Sequence, residues 1–192
     1  SVMIAEIAEK KEDQSHWKQL AERRIKNTLA MFYDGWFRDV DARNNRPIIL
    51  QEYHDVMMLT PLTCKVATQE QVRQVKPMFH YFASSGKLEW PPGIFTFTEA
   101  AWNAGERVIA SDVVAETVDR VYARTDSKTL LFADSAFSYR IPGVANEFWP
   151  SKVIPAGGEN YGWGATLPMH IIRNIVGFRE TDDSFAKEFF LA

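Results

Sequence analysis

The sequence is poor in the residues that build disulfide frameworks and metal sites. Its 192 residues include one cysteine, Cys64, which excludes an internal disulfide and any zinc site built from several thiolates. A single cysteine leaves the cellular compartment open. The four histidines, His16, His54, His80 and His170, are not close to one another and none forms an HExxH pair. We therefore expect no metal and no other cofactor.

Several well-known catalytic motifs are also missing. The chain has no GxSxG sequence, so it lacks the usual context of a serine nucleophile in hydrolases. Its glycine-rich PAGGEN segment lacks the lysine and the serine or threonine of a phosphate-binding P-loop. The sequence therefore supports neither a serine nucleophile nor a phosphate-binding loop.

Long apolar runs and blocks of like charge are absent as well. No run approaches the roughly 20 apolar residues that span a bilayer, and the charged start SVMIAEIAEKKEDQ does not have the pattern of a signal peptide. The 22 basic and 25 acidic residues are spread along the chain and give a net charge of −3. We therefore expect neither nucleic acid nor a membrane as a partner.

What is present is an ordinary globular composition, with 46% hydrophobic residues. The chain starts at Ser1 without an initiator methionine and stops at Ala192 inside the apolar run FFLA. Because exposed aromatic and aliphatic groups at a terminus cost solubility, we expect an excerpt or processed piece of a longer protein.

Helical periodicity dominates the pattern of apolar residues. Helices are predicted over 13–33, from the Thr68 cap to Gly86 with a kink at Pro77, over 96–104 and from about 106, and a buried helix is predicted over 166–176. The predicted apolar stripe of the helix from about 106 includes Val108, and that of the helix over 166–176 includes Ile172. The segment GWFRDVDARNN predicts a short extended excursion or hairpin, and Pro61 is expected to end a helix near Leu59. Long aromatic-rich loops separate these helices, which favours an all-α toroid of helical hairpins over a four-helix bundle.

The stretch from Pro142 to Gly177 holds the strongest candidates for chemistry. Glu147, in PGVANEFWP, fits two interpretations: a solvated loop carboxylate, or a general base partly desolvated by Phe148 and Trp149. Glu159, in GGENYGW, competes for the role of base, although its place just before a helix also suits a capping or dipole-stabilising residue.

Aromatic side chains accompany these carboxylates and predict a platform for sugar rings. Tyrosine and tryptophan offer flat apolar faces with a polar group at one edge, which suits a pyranose. Trp102 falls inside a predicted helix, and we assign it to the core. The better candidates for contact with substrate lie in loops: Trp90, Trp149, Tyr161 and Trp163.

The order of five motifs resembles the C-terminal part of the six-hairpin (α/α)6 glycosidases. These motifs are FYDGWFRDVDARN, LTPLTCKVATQEQV, LEWPPGIFTFTEAAWNAG, ANEFWP and NYGWGATLPMHIIRNIVG. The resemblance covers roughly residues 32 to 178 and is greatest to the group around glycoside hydrolase family 63 and the mannosylglycerate-hydrolase-like proteins. It implies an (α/α)6 toroid with a central pocket, and inverting hydrolysis by an aspartate acid and a glutamate base.

The resemblance assigns roles to individual residues of the chain. The family's base lies in an ENYxP-like motif upstream of an aromatic-Gly-Trp element, and Trp163 follows Glu147 by 16 positions, close to the family spacing. Glu159 precedes Trp163 by only four positions, so the resemblance favours Glu147 as the base. The Trp-Pro loop, preceded by Arg-Gly in the family, here reads Glu89-Trp90-Pro91, which removes the support for a substrate-contacting arginine there.

The resemblance places the acid aspartate upstream of the first helix, and no residue of this chain matches it. We therefore expect residues 1–178 to be the C-terminal portion of a six-hairpin glycosidase-like domain, and residues 179–192 to be an extended segment leading onward. The expected activity is inverting hydrolysis of α-linked glucosides or related sugars, completed by the upstream part of the same protein. The alternative is a non-catalytic helical toroid that binds carbohydrate or a protein with the same aromatic loops.

Overall fold

The first element in the described part of the chain is an exposed helix. The structure is a computed structural model that describes residues 9–49, 54–84, 88, 90–123, 143, 145, 147–149 and 162–179. Helix α1 covers Lys11–Ala30 and has no buried residue, which confirms the predicted helix but ends it earlier than expected. Its C-terminal end is attached to the rest of the fold where the side-chain amide of Gln71 donates a hydrogen bond to the Leu29 carbonyl at 3.4 Å.

Two short antiparallel hairpins follow α1 and confirm the predicted extended segment. The first hairpin pairs β1 (Phe32–Tyr33) with β2 (Trp36–Phe37). Its Asp34-Gly35 turn has positive φ at both residues, 50° and 73°. That conformation, typical of a type I′ turn, suits the twist of a two-residue hairpin. The turn delivers Trp36 and Phe37 into the core, at 3% and 2% exposure. The strands are β1 Phe32–Tyr33, β2 Trp36–Phe37, β3 Val40–Asp41 and β4 Arg46–Pro47.

The next helical segment corrects the prediction for Pro61. A 3₁₀ turn at Val56–Leu59 runs directly into helix α2, Thr60–Thr63. Pro61 therefore starts a helix rather than ending one, because the first helical positions need no amide donor and tolerate proline. The Asp55 carboxylate caps the 3₁₀ turn by accepting from the Met57 amide at 2.8 Å.

Helices α3 (Gln69–Val75) and α4 (Pro77–Ala83) form the kinked element that the sequence predicts. The Thr68 hydroxyl accepts from the Gln71 amide at 3.2 Å, and the Gln71 side chain accepts from the Thr68 amide at 2.9 Å. This reciprocal capping box confirms the predicted start. The break at Lys76 follows from Pro77, which cannot donate to the helical hydrogen-bond ladder.

A helical hairpin forms the centre of the fold. After a 3₁₀ turn at Pro91–Gly93, helix α5 (Ile94–Asn103) is joined by three residues to helix α6 (Arg107–Val118), which continues as a π-helical segment at Asp119–Ala123. Gly105 makes the tight connection at a φ of 82°. Both helices were predicted, but Val108 of the predicted apolar stripe is 60% exposed and belongs to the surface.

The last described helix is composite. It comprises a 3₁₀ turn at Gly162–Thr166, helix α7 at Leu167–His170 and a π-helical segment at Ile171–Ile175. The predicted core stripe of this helix is wrong at Ile172, which is 47% exposed. The fully buried face of this composite helix instead holds Leu167, His170 and Asn174, which are spaced as one helical face.

The described part of the chain is mostly helical, and its strands are only two residues long. Most of its helices pack against the α5–α6 hairpin. Helix α2 packs against α5, and α4 packs against α6. Helix α7 and the following π segment also pack against α6. The largest side chains with almost no exposure are apolar with one exception, His170: Phe37, Leu59, Leu62, Val75, Phe79, Ile94, Phe97, Val114, Val121, Leu167 and His170.

Candidate active site

Glu147 lies between two buried residues that fix its backbone. Ala145, two residues before it, is 2% exposed, and Trp149, two residues after it, is 8% exposed. The glutamate itself is half-buried. A carboxylate held on both sides is accessible without being free to sample many positions, and this is the arrangement that a general base needs.

Gly143 contacts the end of the α6 π turn, whereas Ala145 and Trp149 contact the start of the last helix. The Gly143 amide donates to the Val121 carbonyl at 3.1 Å, so the segment joins the end of the α6 π turn. Ala145 packs on Gly164, where a Cβ added to the glycine would lie 2.6 Å from the Cβ of Ala145. Glu147 is therefore positioned by elements that are far apart in the sequence.

Trp149 and Trp163 contact each other. Their ring centroids are 5.8 Å apart at an interplanar angle of 83°, which is an edge-to-face contact. The Arg120 guanidinium lies 3.8 Å from the Trp149 ring centroid. Each tryptophan is only 8% exposed, so the contact between the two rings is largely buried and little of either side chain remains open to solvent.

Trp90 belongs to the same end of the molecule. Because α5 and α6 are antiparallel neighbours joined by a short turn, the residue before α5 and the residues after α6 lie at one end of the hairpin. Trp90 is half-buried there. A Cβ added to Gly93 would meet Trp90 Cε3 at 3.3 Å and Val56 Cγ1 at 2.6 Å, so the indole packs closely on this turn.

The predicted site is described in part. Glu147, Trp90, Trp149 and Trp163 fall within the described residues, whereas Glu159 and Tyr161 lie outside them. The contact between Trp149 and Trp163 brings their two segments together, and Glu147 lies two residues before Trp149. Trp90 lies at the same end of the α5–α6 hairpin.

A cavity of about 670 Å³ lies on the outer side of Trp149, between α4 and α6. The described residues that line it include Trp149 and a set of polar side chains, but not Glu147: the polar ones are His80, Ser84, Asp112, Glu116, Thr117 and Arg120. Asp112 and Glu116 are exposed on the face of α6 that borders this cavity. Glu147 does not line this cavity, although Trp149, two residues further along the chain, does.

Glu99 is a second carboxylate of interest, and the sequence analysis missed it. It is 7% exposed in α5. Its oxygens accept two hydrogen bonds from Arg173, at 3.1 and 3.0 Å, and one from Arg179 at 2.7 Å. Burial would raise the pKa of Glu99, but the two guanidiniums outweigh burial and hold the pKa below its ordinary value. Glu99 is thus an ionised structural anchor and a poor proton acceptor.

The surroundings of Glu99 tie three segments together. The Arg179 guanidinium lies 3.9 Å from the Trp102 ring centroid and donates to the Asn174 side-chain oxygen at 2.6 Å. Arg107 also lies near the Trp102 ring, at 4.8 Å. Trp102 is half-buried rather than part of the apolar core to which we assigned it. The one signal for this cluster in the sequence is an acidic residue within the apolar helix IFTFTEAAWN.

The residues that the structure describes contain no group of three or more histidine, cysteine, aspartate or glutamate side chains that could hold a metal ion. None of the helices built from these residues is long and apolar enough to cross a membrane. Comparison with models of known protein families and with curated proteins found no match to this chain. The function is therefore argued from the residues and their geometry.

Substituting alanine for Gly164 should disturb the packing that holds Glu147. The new Cβ would lie 2.6 Å from the Ala145 Cβ, and neither atom can move without its backbone. We expect a loss of about 1–3 kcal/mol in the free energy of unfolding, as for other overpacked sites. Urea unfolding followed by tryptophan fluorescence measures this directly.

Gly162 offers a matched control two residues away. A Cβ at Gly162 would meet nothing within 4 Å, so Gly162→Ala should unfold at nearly the wild-type urea concentration. Equal midpoints for Gly164→Ala and Gly162→Ala would contradict the close packing of Ala145 on Gly164.

Proposed function

We propose that this chain carries the base-side half of the active site of an inverting glycoside hydrolase that acts on α-linked glucosides or related sugars. Glu147 is the general base that takes a proton from the attacking water. The observation that carries this proposal is the placement of Glu147, half-buried between the buried residues Ala145 and Trp149. A solvated surface carboxylate would not need two buried neighbours to fix it.

The proposed architecture is part of an (α/α)6 toroid. Three helical segments, which begin at Val56, Pro91 and Gly162, each start with a 3₁₀ turn that leads into an α-helix. They alternate along the chain with α3–α4 and α6, as inner and outer helices of successive hairpins would. The recurrence of one local structure at three entries supports a repeated hairpin unit. In this arrangement, Trp90 and the Glu147 segment lie at the entry ends of the inner helices.

The proposed chemistry needs a second carboxyl group. In an inverting enzyme the acid and the base lie about 6.5–9.5 Å apart, so that a water fits between the base and the anomeric carbon. We assign the acid to the upstream part of the same protein, in line with the resemblance. The exposed edges of Trp90, Trp149 and Trp163, together with Glu159 and Tyr161, would line the sugar subsite.

The other described carboxylates suit this role less well. Glu99 is held ionised by two arginines whose guanidiniums occupy both of its oxygens, so it has little capacity to accept a proton from water. Asp112 and Glu116 border the outer cavity between α4 and α6. Glu147, by contrast, combines partial burial with the buried neighbours Ala145 and Trp149.

The test is a hydrolysis assay on the intact protein, including its upstream region, against a panel of α-linked glucosides and mannosides. Proton NMR in the first minutes of the reaction should show release of the β-anomer of the sugar, before mutarotation mixes the anomers. Release of the α-anomer would exclude an inverting mechanism. Binding of sugars without turnover would favour the alternative, a non-catalytic carbohydrate-binding toroid.

A further inference from the structure

His170 is fully buried and has no hydrogen-bond partner on either ring nitrogen. It lies at the end of α7, where its ring centroid is 6.1 Å from that of Phe95 in α5. A neutral imidazole always carries one N–H donor, so leaving it buried without an acceptor costs about 1–3 kcal/mol. The ring thus occupies a place that an apolar side chain would fill at lower cost.

The charged groups around His170 come from three segments. Glu99 of α5 favours the protonated ring, whereas Arg173 of the π segment and Arg179 beyond it disfavour it. The residues that α6 buries are uncharged: Ala110, Ser111, Val113, Val114 and Thr117. Both oxygens of Glu99 already accept from guanidinium groups, and the Asn174 amide donates to the His170 carbonyl rather than to its ring.

We propose that His170 makes the junction between α5 and the segment 167–179 an acid-sensitive latch, which is closed while the ring is neutral and opens when the ring takes up a proton. A buried imidazolium here would lie beside two guanidiniums and a carboxylate that is already engaged. Opening the junction hydrates the ring and releases Arg173 and Arg179 from Glu99. Because Gly164 and Trp163 lie just before this segment, opening would also loosen the packing around Ala145 and Trp149.

The direction of the pH dependence follows from the ring's environment. Burial is the main cause that lowers the pKa of His170 from 6.5 to about 4. In the opened segment the ring takes up its proton near pH 6.5, and in the closed segment only near pH 4. The closed state is therefore fully favoured above pH 6.5 and loses stability as the pH falls toward 4.

Hydrogen–deuterium exchange of the intact protein between pH 7.5 and pH 5, corrected for intrinsic exchange rates, tests this proposal. Amides in 167–179 should lose protection, with an opening equilibrium constant that rises roughly 20- to 30-fold on going to pH 5. His170→Phe can pack against Phe95 but takes up no proton, so it should keep its protection at pH 5. His80→Gln, at an exposed position in α4, should behave like the wild type.

Unchanged protection of 167–179 in the wild type at pH 5 would overturn the proposal, and so would an equal loss in His170→Phe. His54 is a second histidine whose pKa is lowered by burial. It lies just before α2, so its exchange is measured on different peptides from those of 167–179. If His170→Phe does not fold, the exchange of the wild type alone decides, because loss of protection must begin within 167–179 rather than in every segment at once. Neither outcome depends on glycosidase activity.

Discussion

Glu147→Gln should lower the hydrolysis rate of the intact protein by roughly 10²–10⁴-fold, the contribution typical of a general base. Glutamine keeps the shape of the side chain, so Ala145 and Trp149 can stay packed around it, but a neutral amide takes no proton from the attacking water. The loss should appear mainly in kcat, since substrate binding relies on other side chains. Steady-state kinetics on the best substrate of the panel measure it.

Asp112→Asn is the matched control for this substitution. Asp112 is exposed on α6 and borders the outer cavity, so its neutralisation should leave the hydrolysis rate at the wild-type value. Wild-type kinetics for Glu147→Gln would contradict the assignment of the base. Equal losses in both variants would point to a general effect of charge rather than to proton transfer.

Glu99→Gln should cause the largest loss of stability among single substitutions of carboxylates in the described chain. The guanidiniums of Arg173 and Arg179, whose side chains are 16% and 12% exposed, would lose the carboxylate charge of Glu99, which both contact. Removing one partner of a buried ion pair typically costs about 3–5 kcal/mol. Urea unfolding at pH 7 gives the change in the free energy of unfolding.

The control for Glu99→Gln is Glu70→Gln. Glu70 pairs with Arg73 at 2.6 Å, but both side chains are exposed, so solvent screens the pair and the variant should unfold at nearly the wild-type urea concentration. If the two variants shifted the midpoint equally, burial of the Glu99 cluster would not explain its stability. Double-mutant cycles with Arg173→Gln and Arg179→Gln would apportion the effect between the two arginines.

Local signals in the sequence predict the parts of the fold that depend on local chemistry. The helix cap at Thr68 and the break before Pro77 each act within a few residues, and each lies where the sequence places it. The helical nature of the chain follows in the same way from apolar periodicity. Such features need no knowledge of which segments are neighbours in space.

Features that depend on tertiary neighbours were harder to predict. Val108 and Ile172 fit apolar stripes, yet they are 60% and 47% exposed, because a period shows which residues share a helix face and not what covers that face. Pro61 starts a helix because the preceding 3₁₀ turn leads into it. The cluster around Glu99 joins this residue to Arg173 and Arg179, which follow it in the sequence by 74 and 80 positions. No local sequence pattern predicts contacts over such separations.

In the candidate site, too, the contacts between distant segments are the part that the sequence does not predict. The spacing of 16 positions between Glu147 and Trp163, on which the choice of Glu147 as the base rests, stays a prediction. It does not indicate that Trp149 and Trp163 contact each other and are largely buried. Because both tryptophans are largely buried, their contact packs two distant segments together, a structural function that the sequence alone does not suggest.

The most direct test of the central claim is chemical rescue of Glu147→Ala in the intact protein, with an α-glycosyl fluoride as substrate. Removing the carboxylate leaves room for azide, which needs no general base because it attacks as an anion. If Glu147 activates water on the face opposite the leaving group, azide should restore turnover and give the β-glycosyl azide. No effect of azide, or formation of the α-glycosyl azide, would contradict the assignment of Glu147 as the base of an inverting glycosidase.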